Sequence, residues 1–492
     1  MQYDVKQFGA TGDGRTNDTA SLQAAINRCA DGGGGTVSVP AGGYVTGSLW
    51  LRSNLTLDLH AGATLLGSQD VDDFPVWTSA WEGPGVKPGR AALLCGEGLE
   101  NVAVTGRGTV DGRGKVWWDH YHAAPGKLRR PFLCRIVDSR NVLIEGVTFR
   151  NSPMWTVSPL ACDNVTISRI TVVNPPDSPN TDGINPDSCR NVRISDCHVD
   201  VGDDCITIKS GKEDEGRRQL RPCENITVTN CTLEHGHGGV VIGSEMSGNV
   251  RNVTITNCVF VGTDRGIRIK ARRGRGGVVE DVRASDLVMD RVLCPIVLNL
   301  FYGCGAWDDP KVTDQGPQSV NAGTPRFRRL RFSNITARGI QYAAAYMMGL
   351  PEMFNEDVIF ENCSFFMDPN CTVGGSPAMA PGVPDHCRAG VIARNIKRLT
   401  LRNLDISDQL GPAITVSGAK DLQLTDITLR TPVDGPLVVL QDIHGGRVRG
   451  CHTPPSQGRV VDIARTNVTK VRMEIDRYEP RPEPGSEPVG QA

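Results

Sequence analysis

From about residue 100 onward, short phrases of alternating apolar and polar residues recur along the chain. Each opens with asparagine and a β-branched residue, starting at Asn101, Asn141, Asn164, Asn191, Asn225 and Asn252, at spacings of 40, 23, 27, 34 and 27 residues. Looser copies start at Asp281, Asp357, Arg398 and Asp421. Period-two alternation over a short run describes a strand with one buried face. A repeat of 20 to 50 residues indicates a solenoid, a propeller or an array. Propeller blades need four strands and more aromatics in each ~40-residue repeat. Brief β phrases at uneven spacing fit an all-β parallel β-helix, in which the loops between strands can lengthen without disturbing the stack.

The first 66 residues predict the cap and first coils of that stack. A helix with its N-cap at Asp18 or Thr19 carries Leu22, Ala25, Ile26 and Cys29 on one face and stops at Gly32 to Gly35. Strand phrases follow at 36–40, 55–59 and 63–66. Thr11-Gly12-Asp13-Gly14 lacks the GKS/T ending of a phosphate loop. One catalytic domain is expected over 1–477. The proline- and glutamate-rich 478–492 read as a disordered tail. Long interruptions at 67–95, 111–131, 303–326 and 366–388 predict walls of a substrate cleft. Trp117 and Trp118 serve equally well as sugar-stacking platforms or as anchors for their own loop.

Composition narrows the picture. A net charge of −2 gives no global attraction to nucleic acid or an anionic membrane, so any hold on a polyanion must be local. No run of about 18 apolar residues is present. The 16 cysteines contain no CxxC pair, and many close a strand phrase, as at Cys197, Cys231, Cys258 and Cys363. That is how buried thiols are used. With no basic-then-apolar start at the N-terminus, this leads to a cytoplasmic expectation.

Candidate chemistry concentrates between Asn180 and Arg275. Asp182 and Asp203 are 21 residues apart, about one coil. Neighbouring parallel strands lie ~4.8 Å apart, so Asp182, Asp203 and Asp204 are expected in one patch. Adjacent strand residues face opposite ways, so Asp203 and Asp204 can share a face only if Gly202 permits a bend. Three carboxylates in a patch cannot all ionise cheaply, and one should hold a proton. A proton-bearing carboxyl beside an ionised one is the equipment of glycoside hydrolysis. His237, in Gly236-His237-Gly238, can bond to the acid. Arg268, Lys270 and Arg272 alternate so as to face one way and suit the carboxylate of a uronic acid.

These motifs, NTDG at 180–183, GDDC at 202–205, GHG at 236–238 and RIK at 268–270, resemble glycoside hydrolase family 28, the polygalacturonase family. The resemblance runs from Phe8-Gly9-Ala10 to about residue 470. It implies a right-handed parallel β-helix and inverting hydrolysis of α-1,4-linked galacturonate, with neither metal nor cofactor. Carried over by motif, Asp203 is the general acid, Asp182 and Asp204 activate water, and His237 supports the acid. Arg268 and Lys270 would hold the substrate carboxylate, Tyr302 would contact substrate and Asn180 would orient the site. Gly238-Gly239-Val240-Val241 is one residue longer here than in many fungal and plant members. That form resembles the bacterial, chain-end-trimming branch, and exo action is expected. His235 stays open as a second imidazole. The expected partner is an acidic oligosaccharide or polysaccharide, and a homo-oligomer is left open. A rhamnogalacturonan hydrolase would usually lack the GHG histidine and RIK pair, a pectate lyase would need calcium and a basic catalyst, and a non-catalytic glycan-binding β-helix would not need three aspartates.

Overall fold

The structure is a computed structural model and describes residues 1–82, 88–431, 433–453 and 462–474. The expected tail, 478–492, lies outside these residues. Each phrase opens on asparagine because the chain turns a corner there. At Asn101, Asn141, Asn164, Asn191, Asn225 and Asn252, φ falls between +54° and +59°, a left-handed conformation that asparagine tolerates better than other side chains with a Cβ. Asp281, Asp357, Arg398 and Asp421 adopt it too. Stacking puts the amides within reach of one another. Nδ2 of Asn141 donates to Asn101 at 2.9 Å, Asn164 to Asn141 at 2.7 Å, and Asn252 to Asn225 at 3.0 Å.

Strands after this corner pair in parallel and in register. Val142, Val165, Val192, Ile226, Val253 and Val282 form one inward column, all buried. A slip of one residue would turn that column to solvent, which fixes the register. A second column of short strands includes Thr171–Val173, His198–Val201 and Thr232–His235. The third contains Asp204–Ile208, Gly238–Ile242, Arg265–Lys270, Cys294–Asn299 and Ala343–Met348, again parallel throughout. The result is a right-handed parallel β-helix, and its third column holds Asp204, Arg268 and Lys270.

The cap is the expected helix, Thr19–Asp31, burying Leu22, Ala25, Ile26 and Cys29. Asp18 stands at its N-cap position but does not cap it. Its carboxylate accepts instead from the Thr11 and Gly12 amides at 2.7 and 3.0 Å, tying the glycine-rich turn to the helix. All cysteines except Cys304, Cys371 and Cys387 are buried, as the sequence suggested. No helix among the described residues is long and apolar enough to cross a membrane.

The long interruptions have different fates. The 111–131 interruption contains a helix, Lys115–Ala123. Trp117 is buried edge-on against Phe74, ring centroids 5.4 Å apart, and Trp118 Nε1 donates to the Ser152 carbonyl at 3.0 Å. Both tryptophans are anchors. In the 67–95 stretch, Trp77 meets Trp50 edge-on, ring centroids 5.3 Å apart. Cys304 and Gly305 of 303–326 and Met379 of 366–388 line a cavity shared with Asp182, Asp203 and Asp204. Among the described residues, 67–82, 88–95 and 111–131 do not line that cavity, so of the four expected cleft walls two are found there. They are joined, since Gly303 N donates to Met379 O at 2.7 Å.

Candidate active site

The carboxylates meet because of a turn. Between the strands His198–Val201 and Asp204–Ile208 the chain swings at Gly202 and Asp203, so Asp203 and Asp204 are not neighbours on one straight strand. Gly202 is required for a close approach: a Cβ there would stand 2.5 Å from the Pro175 carbonyl oxygen. One coil earlier, Gly183 N donates to Asp204 O at 3.0 Å and sets Asp182 beside Asp204. One oxygen from each of Asp182, Asp203 and Asp204 lies within 4.8 Å of the others. The bend that the sequence required is present.

The cations arrive from the next two coils. Gly238 pairs with Asp204, and Val241 with Arg268. Because Gly238 has no side chain, Arg268 can pass close to it toward Asp204. A Cβ at Gly238 would lie 3.3 Å from Asp204 Oδ1 and 3.6 Å from Arg268 Cδ. Lys270 Nζ sits 2.7 Å from Asp204 Oδ2, and Arg268 Nη1 lies 3.5 Å from Oδ1. The Tyr302 ring covers both cations, 5.1 Å from Lys270 Nζ and 5.5 Å from Arg268 Cζ. His237 Nδ1 is 3.5 Å from Asp203 Oδ1. His235 turns away to Asp200 at 2.8 Å, so His237 is the imidazole at the site. Asn180, with φ +56°, directs Nδ2 toward Asp203 Oδ2 at 3.5 Å. All eight expected residues border one cavity of about 410 Å³, as does Arg272.

Burial and charge divide the protons unevenly. Burial, then the neighbouring Asp203 charge, pushes Asp182 up to about 8, so it is protonated near neutrality. Asn185 Nδ2 and Thr207 Oγ1 both point at its Oδ2, at 3.1 and 3.4 Å. Burial works against ionised Asp203 as well, but the hydrogen bond and charge of His237, helped by Lys270, hold it down at about 2. That same bond to Asp203 raises His237. Burial and neighbouring Arg268 lower Lys270. The expected raised carboxyl therefore exists, but in the free protein it is Asp182. Asp203, the expected acid, is ionised and shares the His237 proton.

Sequence reasoning missed several participants. Lys209 leaves the strand of Asp204 on its outward side, a placement that alternation through Thr207 could have revealed. Its ammonium lies 4.6 Å from the centre of the Trp155 ring and 3.1 Å from Glu245. Glu245 holds it above its usual range in spite of burial. Trp155 and Arg130 gave no local signal, because neither belongs to a strand phrase.

The chain is similar to known proteins. Residues 29–346 match the model of the glycosyl hydrolases family 28. A probable polygalacturonase of Vitis vinifera is 36% identical over 70% of each chain. An endo-polygalacturonase of Pectobacterium carotovorum subsp. carotovorum is 34% identical over 58% of this chain and 72% of its own. Among solved structures, an exopolygalacturonase from Thermotoga maritima superposes with a TM-score of 0.66 at 28% identity, covering 83% of this chain and 93% of that one.

Proposed function

The chain belongs to glycosyl hydrolase family 28, and from that premise we propose that it is a polygalacturonase removing galacturonate from the ends of polygalacturonate or its oligomers. The observation that carries this reading is the meeting of three carboxylates with Arg268, Lys270 and Tyr302 in one cavity. The cationic pair suits a uronate carboxylate, with the arginine fork and the lysine charge side by side.

Asp203 is the member placed to meet the glycosidic oxygen. Its side chain is 20% exposed, against 2% for Asp204. The Asp203–His237 pair holds one proton, and Asp203 passes it to the leaving oxygen as the C–O bond breaks. Asp182 and Asp204 hold the water that attacks the anomeric carbon, and, with Asp182 already protonated, the water's proton passes to Asp204. Generic inverting sites separate their carboxyls by roughly 6.5–9.5 Å. Here the groups are closer, and inversion rests on the family resemblance rather than on that spacing. NMR of the first-formed anomer checks this, and a retained α-anomer counts against it.

Action at chain ends is argued from the two wall loops, which come from coils C-terminal to the carboxylates and contribute Cys304, Gly305 and Met379 to the cavity. The bacterial exo-type branch fits the same reading. So does action in the cytoplasm, where short oligomers would be met; cell fractionation tests that location. The deciding experiment digests a defined galacturonate oligomer. Monomer alone from the first time point is expected, and mixed oligomers would show internal cleavage. Asp203→Asn should reduce turnover by about 10²–10⁴-fold while oligomer binding persists; full turnover in that variant would remove Asp203 from the mechanism.

A further inference from the structure

Arg130 lies outside the cavity, beneath the turn at Asn180, at the end of the 111–131 excursion. Its side chain is buried, with only 7% of the residue exposed. Nη2 donates to Asn180 Oδ1 at 2.7 Å, while Nη1 donates to the Pro153 carbonyl at 2.9 Å and also reaches that of Pro179. The Tyr121 ring lies 4.2 Å below the guanidinium carbon. A buried guanidinium is costly unless its donors are met, and here three acceptors and an aromatic face meet them. Lysine could not replace it, because a single ammonium lacks the planar fork that spans these acceptors.

This arrangement settles which way the Asn180 amide points. Its oxygen is taken by Arg130, so its NH2 must face Asp203, where Nδ2 lies 3.5 Å from Oδ2. The other Asp203 oxygen accepts from the Asp204 amide at 2.9 Å and faces His237. Both oxygens of the proton donor are thereby held. We propose that Arg130 is a positioning residue that acts through Asn180 to aim Asp203 at the glycosidic oxygen. This rests on Asp203 as the acid.

The test compares Arg130→Ala, Asn180→Ala and the double variant in the full chain, using a galacturonate oligomer. Arg130→Ala should lower kcat by about tenfold to 100-fold, the cost of misplacing a catalytic group by about 1 Å, with KM within about twofold. Adding Arg130→Ala to Asn180→Ala should cost little more, since two residues on one path are not additive. Guanidinium ion in the buffer should restore part of the lost kcat. Additive losses, an effect on KM alone, or no guanidinium rescue would each overturn the proposal. If Arg130→Ala does not fold, Arg130→Lys replaces it, and the same split between kcat and KM, with non-additivity toward Asn180→Ala, decides. A wild-type protein that releases no galacturonate would instead defeat the functional reading, and is told apart by that control.

Discussion

Asp182 and Asp203 lie within a few ångströms of each other and yet hold protons at opposite ends of the scale. Asp182 is buried without a cation bonded to it, whereas Asp203 bears on His237. A stability prediction follows from the sign. Asp182 has its folded pKa raised from 3.8 to about 8, so the native state holds the extra proton and this group's contribution is fully present below about pH 4. It is lost progressively as pH rises toward 8. Asp182→Asn mimics the protonated form and should raise Tm, with a larger gain at pH 8 than at pH 4, while cutting activity by about 10²–10⁴-fold. Calorimetry across that range checks it, and a pH-independent change in Tm would place the proton elsewhere. The residue types and order of the site were legible in four short motifs. The proton's resting place was not, because it depends on burial and on which cation reaches which oxygen.

At the level of elements, the corner asparagines do two jobs that can be separated. Asn225 holds φ at +59° and lies between Asn191 and Asn252 in the amide ladder, with both bonds at 3.0 Å. Asn225→Ala loses the bonds and forces a Cβ into left-handed backbone, for about 1–2 kcal/mol. Asn225→Gly loses the bonds but keeps the backbone at ease, and should cost less. Urea midpoints in the order wild type, Gly, Ala are expected; equal midpoints for the two variants would assign the whole effect to the ladder. The strand phrases and capping helix could be read from periodicity, which is local. The helix Lys115–Ala123 could not, since only Trp117 in it is buried and its nine residues show no sustained apolar stripe.

For the whole molecule, the question is what closes the cleft. Arg265 Nη2 and Nε donate to the carbonyls of Ser376 and Pro377, and Gly303 binds the Met379 carbonyl, so the 366–388 loop is pinned from two coils. Replacing 372–386 with a short turn should leave the stacked coils intact and Tm nearly unchanged, because loops in a solenoid project from rungs that pair only with their neighbours. Products should change from monomer to mixed oligomers. A product profile unchanged by the deletion would show that this loop does not set the mode of attack.

The sequence by itself determined the repeat, the parallel stack and the cast of catalytic residues, because alternation and coil length act over a few tens of residues. Only the tertiary structure decided that Arg268 and Lys270 both reach Asp204, Arg268 past the gap that Gly238 leaves. It likewise decided that Trp117 and Trp118 anchor while Trp155 faces the cavity, and that Arg130 comes from a distant loop to lie under Asn180. Those outcomes depend on distances between coils and loops remote along the chain, and no local pattern of residues carries a distance.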